Sequence, residues 1–196
     1  MIISLFPTPL VYVENCNLDL EQLEHKCREY MVIQPSDNKS NIGGYQGHYI
    51  NIHNMGSYMH DDSLYDLIAK NLPTIKTKPI KSFKYEAWVN VHPFGACNER
   101  HNHDPHSGTF MSGVFYVKCP EGCGKIRFYD PRPNINTAFD MRYYNDANTN
   151  YWFAPVPNTL IMFPAWLEHS VDTNQSQEER ISISFNIFDV EWTSQQ

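Results

Sequence analysis

No apolar run in these 196 residues approaches the roughly 20 needed to span a bilayer. The opening Met-Ile-Ile-Ser-Leu-Phe-Pro-Thr-Pro-Leu lacks the basic segment of a secretory leader and meets Pro7 early. Basic charge is scarce, with 15 Lys and Arg against 22 Asp and Glu, a formal net charge of -7. That balance argues against nucleic acid as a partner, because phosphate binding needs a basic face. Cysteine is sparse and odd in number, five in all, with no spacing that suggests a disulfide framework. This pattern suits a reducing compartment, and we expect a soluble cytoplasmic protein without a membrane partner. Cys119 and Cys123 bracket Pro-Glu-Gly, but no second close pair exists to complete a zinc site, so the stretch reads as a turn. Internal repeats and low-complexity tracts are also missing.

Aromatic residues, in contrast, are plentiful. They make up 14% of the chain, with 12 Tyr, 11 Phe and 4 Trp, which favours a β-rich fold. The length predicts one domain over 1–196 with a sizeable core. Residues 2–13 are apolar but broken by Pro7 and Pro9, as in an edge strand. Asn17 is placed to cap a helix over 18–31, in which Leu20, Leu23, Cys27, Tyr30 and Met31 recur at helical spacing. Asp62 is placed to cap a second, shorter helix, in which Leu64, Leu67 and Ile68 share a face and which Pro73 ends. Between them lies a polar loop containing Ile42-Gly-Gly-Tyr-Gln46.

From Ile80 the chain changes to strands. Phe83, Tyr85, Ala87, Val89 and Val91 alternate with Lys84, Glu86, Trp88, Asn90 and His92. Further strands are expected at 110–118, 125–129, 151–153, 159–163 and 180–188, with a polar loop at 134–150 as a candidate lid. Short strands at this spacing after two helices predict a mainly β double-stranded β-helix, or jelly roll, with the helices packed outside.

The chemistry concentrates at His101-Asn-His-Asp-Pro-His106, which holds three of the nine histidines and one aspartate. Imidazole and carboxylate together suit a first-row transition metal. Side chains two apart in an extended segment point the same way, so His101 pairs with His103 and Asp104 with His106. A bend at Pro105 would instead let one histidine act with Asp104. A second element, Thr159-Leu-Ile-Met-Phe-Pro-Ala-Trp-Leu-Glu-His169, places another histidine after an apolar strand. Arg180 follows eleven residues later, opening a strand whose polar face carries Arg180, Ser182, Ser184 and Asn186. An arginine beside hydroxyls forms a two-pronged carboxylate clamp, and Ser112 and Tyr116 offer two more hydroxyls on one face of their own strand. Trp88, Trp152 and Trp166 are candidates for the walls of a substrate pocket.

The order and spacing of these elements resemble the 2-oxoglutarate- and Fe(II)-dependent oxygenases. More narrowly, Leu5 to Pro9, Gly43 to Gln46, Trp88 to Asn90 and Asp130 to Arg132 look like motifs of a phage and bacterial branch near the prolyl hydroxylases. The resemblance implies a jelly roll that binds Fe(II) and 2-oxoglutarate, uses dioxygen, and hydroxylates a small molecule or a protein side chain while releasing succinate and carbon dioxide. It implies His169 as an iron ligand and Arg180 with Ser182 as the clamp for the far carboxylate, assisted by Tyr116 and Ser112. If the chain is phage-encoded, its compartment is the host cytoplasm. The usual first motif is His-x-Asp, whereas this chain has His101-Asn-His103 with Asp104 one residue out of step. The branch implies His101 and His103 as ligands, with Asp104 and His106 as the alternatives. Two other readings of a jelly roll are a cupin-like metalloprotein, which needs no clamp at Arg180, and a catalytically silent binding or structural domain.

Overall fold

The computed structural model describes residues 7–37, 39–47, 50–51, 62–72, 80–103, 108–132 and 150–192. Two antiparallel sheets face each other. The larger contains β1 (Val11–Val13), β3 (Tyr45–Gln46), β4 (Ile50–Asn51), β5 (Ile80–His92), β7 (Met111–Lys118), β10 (Thr159–Pro164) and β12 (Arg180–Trp192), in the order β1-β10-β7-β12-β5-β3 with β4 also on β5. The smaller runs β2 (Asn41–Ile42), β6 (Cys97–His101), β11 (His169–Val171), β8 (Ile126–Tyr129) and β9 (Asn150–Phe153). This is the jelly-roll architecture expected from the sequence, with β1 at a sheet edge as its prolines require.

Two helices, α1 (Leu20–Ile33) and α2 (Asp62–Asn71), pack on the larger sheet. Helix α1 begins two residues later than the spacing suggested. Asn17 has φ 59° and lies before the helix, while the Asp19 carboxylate accepts a 3.0 Å hydrogen bond from the Gln22 backbone N–H. Asp19 thus satisfies an N–H that the first turn leaves without an intrahelical partner.

The two-residue period of a strand divides the core in two. Phe83, Tyr85, Ala87, Val89 and Val91 of β5, with Ile181, Ile183, Phe185 and Ile187 of β12, point toward the helices and form the main core with Leu23, Cys27 and Ile68. The opposite face of the larger sheet meets the smaller one. There Val114, Tyr116, Ile161 and Phe163 pack against Ile126, Phe128 and Leu167. Gly113 of β7 leaves room on the helix-facing side, since a Cβ at this position would run into the ring of Phe185.

The polar face of β12 is turned inward between the sheets. Arg180, Ser182 and Asn186 are buried there, opposite Glu86, Trp88, Asn90 and His92 in a continuous ladder from Arg180–His92 to Asn186–Glu86. Burying so many polar groups requires partners. Several are supplied across the strands: Asn90 Nδ2 donates to Ser184 Oγ at 2.9 Å, Ser112 Oγ to Asn186 Oδ1 at 2.8 Å, and Asn186 Nδ2 to Glu86 Oε1 at 3.0 Å. The Cys119–Cys123 stretch is a turn, closed by a Cys123 N–H donating to the Pro120 carbonyl at 3.2 Å.

Candidate active site

Strands β6 and β11 pair in register so that His101 and His169 sit directly opposite each other. Just beyond β6, the His103 backbone N–H donates to the Ala165 carbonyl at 2.9 Å, folding this residue back over the same point. One ligand nitrogen from each of His101, His103 and His169 then lies within 4.8 Å of the others. Among the described residues this is the group with the spacing to hold a metal; Asp104 and His106 lie outside them.

The ring orientations suit that task. His101 Nδ1 is 2.7 Å from the Glu99 carbonyl, and His169 Nδ1 is 3.0 Å from the Leu167 carbonyl. A carbonyl only accepts, so each Nδ1 carries a proton and each Nε2 presents its lone pair, the tautomer a metal needs. Burial lowers the pKa of all three imidazoles. For His103 the value falls to about 4, through burial first and then the neighbouring His101, with a hydrogen bond to Asn186 opposing the shift. Metal binding need not compete with protons near neutral pH.

The three histidines line a narrow cavity between the sheets. Arg180, Ser182 and Tyr116 line it as well. Arg180 is 2% exposed. Its Nη2 donates to His92 Nδ1 at 2.5 Å, while Nε and Nη1 have no hydrogen-bond partner. Burial, with the nearby guanidinium, pushes the His92 pKa down to about 2, so this ring is neutral and accepts through Nδ1. No carboxylate pairs with Arg180 among the described residues. A buried, permanently charged guanidinium with two idle donors is costly unless an anion completes it. The orphaned nitrogens and the three neutral histidines therefore fit the two ends of a metal-chelating dicarboxylate.

The other residues singled out in the sequence are placed as follows. Ser112 is buried with its hydroxyl engaged by Asn186, and it does not line the cavity around Arg180. Trp88 is 4% exposed, lines the cavity, and its ring lies 5.7 Å from that of His103. Trp166 is 42% exposed in the turn after β10 and Trp152 is exposed on β9; neither lines this cavity. Most of the candidate lid at 134–150 lies outside the described residues. The sequence reading did not single out Gln46, Asn90, His92 and Asn186 as site residues. Alternation on β5 and β12 puts three of them on the polar face, and only the pairing of the strands shows that this face is internal.

Fold and site together define a jelly-roll protein in which three histidines spaced to hold a metal share a cavity with a buried arginine that has two unpartnered nitrogens. Residues 86–186 match the family model described as "Putative 2OG-Fe(II) oxygenase". The chain belongs to this family, the 2-oxoglutarate- and Fe(II)-dependent oxygenases. No curated protein sequence matches significantly. Solved structures agree on the fold. A Pseudomonas putida prolyl-4-hydroxylase superposes with a TM-score of 0.61 at 16% identity, covering 92% of each chain. A Trichoplax adhaerens prolyl hydroxylase in complex with a hypoxia-inducible-factor peptide gives 0.64 at 16% identity, covering 92% of this chain and 83% of that one. An epimerase from nogalamycin biosynthesis, in complex with Fe3+ and alpha-ketoglutarate, gives 0.63 at 16% identity, covering 95% and 82%.

Proposed function

We propose that residues 1–196 form a single oxygenase domain in which His101, His103 and His169 hold Fe(II), and Arg180 clamps the far carboxylate of 2-oxoglutarate. The observation that carries this reading is the buried guanidinium with two unpaired nitrogens, lining the same cavity as three neutral histidines. Bound there, the metal and cosubstrate would supply the dioxygen activation that couples release of succinate and carbon dioxide to oxidation of a substrate C–H bond.

The chain's own residues bind and orient. The carbonyls of Glu99 and Leu167 fix the tautomers of His101 and His169. Asn186 braces His103, and Ser112 in turn braces Asn186, so Ser112 acts on the metal side of the cavity. His92 holds one edge of Arg180, which leaves Nε and Nη1 directed to the carboxylate. Ser182 and Tyr116 stand beside the clamp as further hydroxyl partners. The apolar walls from Val114, Ile126 and Phe163 keep the clamp dry, which strengthens its electrostatic hold.

The primary substrate is a small molecule or a protein side chain. The peptide complex of the Trichoplax adhaerens neighbour supports the second class, and the position of Trp88 in the cavity wall beside His103 supports a role for it as a substrate wall. No helix among the described residues is long and apolar enough to cross a membrane. We assign the enzyme to the cytoplasm on the cysteine pattern.

The test is anaerobic loading with Fe(II) and 2-oxoglutarate, followed by oxygenation and measurement of succinate. One equivalent of iron and succinate formation that disappears in Arg180→Met are expected. Iron binding with undiminished succinate in Arg180→Met would remove the clamp. No iron and no succinate would favour the silent jelly roll.

A further inference from the structure

Outside the histidine cavity the space widens into an open basin of about 1030 Å³ that shares Gln46, Trp88, His101 and His103 with it. Four charged side chains line this basin: Lys39, Arg100, Glu86 and Glu99. Its cations are already matched. Lys39 Nζ lies 3.6 Å from the Asp37 carboxylate. Arg100 forks onto Glu168 and sits 4.0 Å over the ring of Tyr129. The carboxylates of Glu86 and Glu99 form no ion pair among the described residues.

Glu86 is the informative one. It projects from β5 on the same face as Trp88, and its Oε1 accepts from Asn186, which also hydrogen-bonds His103. This carboxylate is therefore linked to a candidate metal ligand through one side chain. A second acceptor stands at the same opening. Gln46 is 4% exposed, and its Oε1 is buried without a partner. Carboxylate and amide oxygens accept hydrogen bonds and cannot donate them. An anionic ligand would meet the unpaired Glu86 carboxylate, and an apolar one would leave that charge without a counter-ion and the Gln46 oxygen without a donor. A cationic group would pair with the Glu86 carboxylate, and the indole of Trp88 at the same wall favours the cation further. An N–H donor elsewhere on the same ligand would serve Gln46, which lies opposite Asn90, four residues along β5 from Glu86.

We propose that the primary substrate carries an ammonium or guanidinium group, and that Glu86 is the residue that selects it, with Gln46 as second acceptor. The proposal builds on the oxygenase reading by naming the substrate class for the same site. A lysine- or arginine-like group presents the required donors either as a free amino acid or within a peptide.

The experiment is calorimetric titration of the full chain loaded with Mn(II) and 2-oxoglutarate. The probes are N-acetyl-lysinamide and N-acetyl-argininamide, their neutral counterparts N-acetyl-norleucinamide and N-acetyl-citrullinamide, N-acetyl-glutamate, and free lysine and arginine. The expected result is binding of the cationic amides about ten- to a hundredfold tighter than their neutral counterparts, as a charge-assisted contact provides. The preference should vanish in Glu86→Gln, which keeps the shape and removes the charge. Tighter binding of the free amino acids than of the amides would assign the cation to a free metabolite, and the reverse to a peptide. Equal affinity for cationic and neutral probes, preference for glutamate, no binding of any cationic probe at millimolar concentration, or a preference that survives in Glu86→Gln each overturns the proposal. Succinate formation is measured in parallel with Fe(II). Its absence would remove the oxygenase reading while the charge preference stands or falls on the titration.

Discussion

Replacing Arg180 with Met separates a ligand clamp from a structural arginine. The side chain is 2% exposed and holds one hydrogen bond, to His92, with Nε and Nη1 idle. In the ligand-free protein, Arg180→Met relieves two unpaired donors, each costing about 1–3 kcal/mol, and strands one acceptor on His92 at a similar cost. The net effect on stability is therefore neutral or favourable. Had the arginine closed a buried ion pair, the same change would cost about 3–5 kcal/mol. At about 2–4 °C per kcal/mol for a chain of this size, that is a fall in Tm of at least 6 °C. Ligand binding moves the other way. Two charge-assisted hydrogen bonds at about 1.5–3 kcal/mol each amount to a loss of roughly 10²- to 10⁴-fold in affinity. A saturating cosubstrate at 100 times its Kd stabilises the wild type by about 2.7 kcal/mol. Thermal melting with and without 2-oxoglutarate, in the presence of Mn(II), reads both effects at once. The expected pattern is an unchanged or raised Tm without ligand and no ligand-induced rise. A large fall in Tm together with a preserved 2-oxoglutarate shift would refute the reasoning.

Other perturbations test other parts of the structure. His169→Ala should reduce bound iron from one equivalent to under about a tenth after anaerobic dialysis, because two monodentate imidazoles hold the ion far less well than three; retained stoichiometric iron would move the ligand set elsewhere. The metal-free protein should lose stability on mild acidification. His92 and His103 titrate at about 2 and about 4 when folded, against about 6.5 when unfolded, so the unfolded chain takes up more protons below 6.5. Their contribution is complete above pH 6.5 and is lost progressively toward the folded values, about 1.4 kcal/mol for each by pH 5.5. Urea melts at pH 7.5 and 5.5 measure it, and equal midpoints would contradict the burial of these rings. Gly113→Ala should cost about 1–3 kcal/mol through collision with Phe185, seen as a lower urea midpoint with unchanged slope.

Much of the fold was legible because strand periodicity is local. The alternation in β5 and β12 identified the helix-facing residues from Phe83 to Val91 and from Ile181 to Ile187, all of which lie in the main core. Periodicity also separated Arg180, Ser182 and Asn186 onto the other face, but it is silent on whether that face meets water or a second sheet. The answer depends on β6, β8 and β11, whose strands close over it from distant parts of the chain. The histidine cluster was visible as a cluster, and the geometry that joins His101 to His169 is a pairing between residues 68 apart. Gln46 and Glu86 gave no signal of their own, because their meaning comes from what they lack: a hydrogen-bond partner for one and an ion pair for the other. The helix start was misplaced by two residues because Asn and Asp cap almost equally well, and the local backbone at Asn17 decided in favour of Asp19.

Strand β12 also acts as a ruler. Its inward positions recur every second residue, about 6.6–6.8 Å apart, and it carries both Arg180, the proposed anion clamp, and Asn186, the proposed brace of the metal side. The interval between clamp and brace is thus six residues, roughly 20 Å, written as a count along one strand. Inserting one residue between them would turn one of the two positions away from the cavity, whereas inserting two would keep both facing inward and lengthen the interval by about 6.6 Å. On the proposed reading, the reach between clamp and metal is in this sense encoded by spacing along one strand.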